Sequence, residues 1–206
     1  MAQTSTTLSG EKSHMSTDIT GTDISISTSG TISSTGTIIA DDGSTPSNGK
    51  LAVRDLVTIT GTTNNNSTFT VKEVVSTTEF TVEETIATGD DADGSSTFTL
   101  DMTGFVTDKA KGDGYYSQPD GVHTVAYHVN GSLNDDDNIS IKMQGSLATT
   151  PTEDDYFDIP DTTITKTELD GSTLAFSKNF TGNFVWVRAK VSGMSAGAIT
   201  KLLYNH

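Results

Sequence analysis

Three observations predict an all-β protein. Apolar residues recur with a period of two near the carboxy terminus, where Val185, Val187, Ala189 and Val191 alternate with Trp186, Arg188 and Lys190. That spacing fits a strand and excludes a helix. No segment carries a helical apolar stripe long enough for a substantial helix. Hydrophobic residues make up only 33% of the 206-residue chain, and Ser, Thr, Gly and Asn fill the difference, Thr being favoured in strands. The expected architecture is a small amino-terminal β-barrel or meander followed by a carboxy-terminal β-sandwich.

Residues 1–18 are polar and aperiodic and read as an arm that orders when a partner chain holds it. Residues 19–49 carry short apolar beats (Ile24 and Ile26, Ile32, Ile38) between glycines, then a loop from Asp41 to Gly49; narrow strands joined by glycine turns are expected. Residues 50–100 form the small β module. Leu56–Thr60 alternates, Asn64-Asn65-Asn66 turns, Phe69 and Val71 share a face, Thr77-Thr78 turns, and Phe80 with Val82 makes a third strand. Gly89–Ser96 is an acidic connection and a candidate boundary. From 101 to 206 the text reads as the sandwich. His123, Val125, Tyr127 and Val129 share one strand face, and Ile139, Ile141 and Met143 another.

Charge and composition exclude whole classes of partner. A net charge of −15 leaves no broad cationic surface for nucleic acid or anionic membrane. With no cysteine, neither disulfides nor thiolate metal sites are available. Met1–Thr7 lacks a basic n-region and an apolar h-region, and no run approaches the roughly 18 apolar residues of a membrane span. Synthesis in the cytoplasm is expected, and no cofactor is called for.

Strings with catalytic associations are weak. Gly193-Met194-Ser195-Ala196-Gly197 matches G-x-S-x-G, but no helix pattern and no acidic residue follow Ser195 before His206, so a turn between strands is expected. Placing Gly94 at the sixth position of a calcium loop puts Gly89 and Leu100 where Asp and Glu are required, which fails. Looser acidic sites at Asp90, Asp91 and Asp93, or at Asp135–Asp137, read as solvated turns. His123 and His128 fall on opposite strand faces, so they do not share a metal. The strongest constellation is Trp186 with Arg188, Lys190, Tyr115 and Tyr116. It admits three readings: anchors of a protein interface, where Trp, Tyr and Arg concentrate; a sugar-binding face; or sandwich packing with one exposed Trp. Ile24 and Ile26 join the interface candidates through the arm.

Two stretches resemble known families. Asp55, Val57, Ile59, Gly61, Asn64, Phe69, Val71, Val74, Phe80 and Val82 resemble a small β module common in phage structural proteins. The text Gly112–Tyr116, Asp120–Val125, Met143–Phe157, Phe180–Val191 and Asn205-His206 resembles a domain of virion structural proteins of tailed phages, particularly myoviruses of marine and cyanobacterial hosts. The resemblance covers nearly half the chain. It implies a jelly-roll-like sandwich assembled into a particle without enzymatic activity and leaves the place on the particle open; capsid decoration as a homotrimer is the expected role. The partners implied are copies of itself and other virion proteins such as the major capsid protein. A neck, baseplate or fibre-associated adhesin binding host glycan is the alternative. In this reading residues 1–40 hold a neighbour by strand addition.

Overall fold

A computed structural model describes residues 5–20, 24–34, 51–91, 97–117, 121–129, 138–165, 168 and 175–206. These residues form β1 (Ser5–Ser9), β2 (Lys12–Ser13), β3 (Met15–Thr20), β4 (Ile24–Ile26), β5 (Thr31–Ser34), β6 (Asp55–Thr60), β7 (Ser67–Ser76), β8 (Glu79–Val82) and β9 (Asp90–Asp91). They continue with β10 (Thr97–Val106), β11 (Ala110–Lys111), β12 (Val122–Val129), β13 (Ser140–Ser146), β14 (Phe157–Asp158), β15 (Ile164–Thr165), β16 (Ala175–Thr181), β17 (Trp186–Ser192) and β18 (Ala198–Asn205). Single 3₁₀ turns occupy Asp113–Tyr116 and Glu153–Asp155. The fold is all-β, as the periodicity predicts, and no helix among the described residues is long and apolar enough to cross a membrane.

The chain divides into two compact units, His14–Phe105 and Met1–Ser13 with Val106–His206. The sequence reading sets its divisions at 18, 49 and 100 instead. The difference at the amino terminus has a physical cause: the segment read as a free arm supplies strands to both units.

In the unit His14–Phe105 the strands follow the order β3-β10-β6-β7-β8-β5-β4-β9, all antiparallel. β7 is long enough to pair with β6 through Ser67–Thr70 and with β8 beyond Val71, where two register shifts bend it. The sheet thereby curls around one core built by cross-strand pairs: Val57 faces Phe69, Ile32 faces Phe80, and Ile26 faces Ile32. The expected asparagine turn is present and has a partner. The Asp90 carboxylate accepts hydrogen bonds from Asn64 N at 3.1 Å, Asn64 Nδ2 at 3.0 Å and Asn65 Nδ2. Asp90 therefore works as a buried anchor within β9, where a flexible acidic linker was expected; residues 92–96 of that linker, and the acidic run 135–137, lie outside the described residues.

The second unit is sandwich-like. One sheet has the order β1-β18-β12-β16, with β2 also on β18. The other strands group as β14-β13-β17, with β15 on β13 and β11 on β17. The predicted inner faces are buried at His123, Val125, Tyr127 and Val129 on β12, Ile141 and Met143 on β13, and Val187, Ala189 and Val191 on β17, whereas Val185, expected on the same face, precedes β17 and is only half-buried. Tyr127 Oη donates to Thr162 O at 2.9 Å, which ties β12 to the segment before β15. β1 is held by its own chain: Ser5 faces Asn205 and Thr7 faces Leu203, with Leu8 buried.

Candidate functional site

The chain ends of several strands meet at one end of the sandwich-like unit. Val122 begins β12 opposite Thr181 at the close of β16, Trp186 begins β17 opposite Ser146 and Lys111, and Asn205 closes β18 opposite Thr124 and Ser5. Aromatic side chains collect there. The 3₁₀ turn Asp113–Tyr116 lies against the 183–185 backbone through Gly112 N to Val185 O at 3.1 Å and Gly114 N to Phe184 O at 2.8 Å. Only glycine permits this approach, since a Cβ on Gly112 would sit 2.5 Å from Phe184 O. The turn projects Tyr115 and Tyr116 outward, 42% and 48% exposed. Tyr115 meets the Trp186 ring edge-on at 4.9 Å. Lys109 Nζ lies 4.6 Å from the Trp186 centroid and Lys111 Nζ 4.2 Å from that of Tyr115. Each cation–π contact contributes about 0.5–1 kcal/mol at such exposure.

Trp186, Arg188 and Lys190 share the outer face of β17 as the alternation requires, yet they do different things. Trp186 Nε1 donates to Thr149 O at 3.1 Å. Arg188 is only 6% exposed. Its Nε donates to Gln144 Oε1 at 2.9 Å, its Nη1 to Glu153 Oε1 at 2.9 Å and Oε2 at 2.7 Å, and its guanidinium stacks 3.6 Å from the Tyr156 centroid. Residues 147–156 are thereby fastened over the strand, helped by the reciprocal bonds between Thr152 and Asp155. Lys190 lies opposite Lys142, which pairs with Asp158. Burial alone would raise the Asp158 carboxyl, but hydrogen bonds from Lys142 and Gln144 and the nearby lysine charges hold it below the usual range.

Of the seven residues expected at an interface, the structure gathers half-buried Trp186 with exposed Tyr115 and Tyr116 into one cluster. Arg188 is occupied internally as a clamp, because its planar fork finds a carboxylate, an amide and a ring at once. Ile26 is in the core of the other unit: β4 is paired on both edges, by β5 and β9, which turns its alternate residue inward. Ile24 lies in β4, and its side chain falls outside the described residues.

The sequence reading missed a buried network beneath the cluster. His123 Nδ1 and Tyr204 Oη share a hydrogen bond of 2.7 Å, and His123 Nε2 meets Gly182 O at 2.9 Å and Asp113 Oδ2 at 3.5 Å. Asp113 also accepts from Gly121 N at 2.8 Å and approaches His206 Nδ1 at 3.3 Å. His206 stacks in turn on Tyr116 and Tyr204. Burial, followed by the Asp113 charge, pushes the Tyr204 hydroxyl well above its ordinary value, so it stays neutral as a hydrogen-bond partner. The strand alternation placed His123 in the core but carried no sign of partners ten and 81 residues away. Ser195 lies in an irregular turn between β17 and β18 flanked by Gly193 (φ 74°) and Gly197 (φ 71°) and followed by a strand, as the turn reading of G-x-S-x-G requires. Among the described residues no group of three His, Asp or Glu is placed to hold a metal ion.

A scan against protein-family models, a search of curated proteins and a search of solved structures each found no match.

Proposed function

We propose that this chain is a non-enzymatic structural protein of a tailed-phage particle, attached to a protein neighbour through the aromatic end of its sandwich-like unit. The observation that carries the attachment is the exposure of Tyr115, Tyr116 and Leu147 beside Trp186, Leu147 being 63% exposed. Rigid aromatic side chains are what interface centres use, since they lose little entropy on contact. The text resemblance of residues 112–206 to virion proteins supports the particle, and capsid decoration as a trimer is the role that fits it. Many weak contacts repeated over a lattice give tight attachment.

Sugar stacking on this cluster is less well supported. Lys109 lies over the Trp186 ring and Lys111 over that of Tyr115, while Tyr116 stacks on His206, so one face of each ring is already in use.

Two measurements test the reading. Light scattering on the purified chain, with counting of its copies in purified particles, should find an oligomer present in hundreds of copies; absence from particles overturns the proposal. Combining Tyr115→Ser, Tyr116→Ser and Leu147→Ser should leave the far-UV spectrum unchanged and weaken particle attachment at least about tenfold. Unchanged occupancy would remove the aromatic end from attachment.

A further inference from the structure

Beside the aromatic cluster lies a groove that the attachment reading does not use. Its volume is about 590 Å³, and Val122, Phe157, Ile159, Pro160, Phe180 and Phe184 supply apolar walls, with Asp161, Asn179 and Thr181 as polar groups. That volume falls within the roughly 300–1,000 Å³ of small-molecule sites. Val122 and Phe157 are 58% and 43% exposed, a large apolar surface to leave wet.

Asn179 and Asp161 bring a donor and an acceptor to the lining. Thr124 Oγ1 donates to Asn179 Oδ1 at 2.9 Å, which fixes the amide with its Nδ2 donors available. The Asp161 carboxylate accepts no hydrogen bond among the described residues and is exposed. Asp161 also adopts φ 61° beside Pro160, a turn position that glycine fills with less strain. Aspartate there keeps an acceptor at the groove. The turn itself is fixed: Ile159 N donates to Met143 O at 2.9 Å, Thr162 Oγ1 to Ile159 O at 2.7 Å, and Tyr127 Oη to Thr162 O at 2.9 Å.

We infer that this groove binds a neutral pyranose sugar. Aromatic and aliphatic walls match the apolar C–H face of a sugar ring, while the Asn179 amide as donor and the Asp161 carboxylate as acceptor match hydroxyls, each of which donates and accepts. An amine would use the carboxylate and leave the Asn179 donors idle. An anionic sugar would meet Asp161 on a chain of net charge −15. The site is shallow, so affinity is in the millimolar range, and repetition on a particle raises it.

Backbone amide shifts of the full chain, followed while methyl β-galactoside, methyl α-mannoside and N-acetylglucosamine are added separately, test the inference. At least one sugar should move Val122, Asp161, Asn179 and Thr181 with a saturating dependence. Asp161→Asn, which keeps shape and tolerates the same φ, and Asn179→Ala should each weaken that binding about tenfold, leaving the Tyr115 and Trp186 signals in place. Three unresponsive titrations overturn the inference. Shifts confined to Tyr115, Tyr116 and Trp186, shifts insensitive to both substitutions, or a response to ethanolamine without one to sugar overturn it equally.

Discussion

Arg188 shows how a residue of interface type becomes a structural clamp. Its guanidinium joins Gln144, Glu153 and Tyr156, so its loss unties residues 147–156 and leaves the buried Gln144 short of a partner. Arg188→Ala should cost about 1–3 kcal/mol in urea unfolding, and lysine, lacking the planar fork, should restore only part. A midpoint equal to wild type would contradict the clamp. Phe184 makes a comparable case in packing. Its ring fills space that two glycines leave open: a Cβ on Gly145 would lie 2.5 Å from Phe184 Cδ1, and one on Gly182 2.3 Å from Cζ. Gly145→Ala should therefore cost about 1–3 kcal/mol through overpacking, and because Phe184 lines the groove it should disturb sugar binding as well. Both effects are read from one sample by unfolding and titration.

At the scale of elements, the amino terminus departs most from expectation. Residues 1–18 read as an arm awaiting another chain, yet β1 pairs with β18 of its own chain and buries Leu8, and β2 extends the pairing at Ile199. Leu8→Ala should cost about 2 kcal/mol or more, and removal of residues 1–13 should lower the thermal midpoint as well as any particle attachment. A truncated chain melting like the full one would restore the free-arm picture. Polar alternation hid this strand, since Thr6 and Leu8 offer a single apolar beat and the edge position of β1 leaves most of its side chains in water. β12 and β17 were legible for the opposite reason: each presents three or more buried apolar residues on one face.

For the molecule as a whole, two sets of ionisable groups bound the pH range of stability. Asp155 and Glu168 are held below the ordinary carboxyl range chiefly by backbone N–H groups of Thr152 and Thr165, and Asp158 by Lys142 and Gln144 against the opposing effect of burial. Their stabilisation is complete above the unfolded carboxyl values near pH 4 and is lost as pH falls through the depressed folded values. Tyr127 and Tyr204 are raised by burial, so their contribution is complete below about pH 10 and fades as pH rises beyond it. Unfolding free energy plotted against pH should thus fall away on both sides of a plateau. Asp158→Asn should flatten the acid limb and Tyr127→Phe the alkaline one; limbs unaltered by either substitution would assign the pH dependence to other groups.

The all-β class, the inner faces of β12, β13 and β17, and the turn character of Gly193–Gly197 followed from the sequence by itself, because a period of two and glycine punctuation are local properties of the backbone. Tertiary structure decided what local patterns cannot encode. It set the clamp on Arg188 through Gln144 and Glu153, the network joining Asp113, His123 and Tyr204, the role of Asp90 against Asn64 and Asn65, and the groove between Asp161 and Asn179. Each of these joins residues at least ten positions apart, and only the tertiary fold, with strand register fixed by burial over the whole sheet, brings them together.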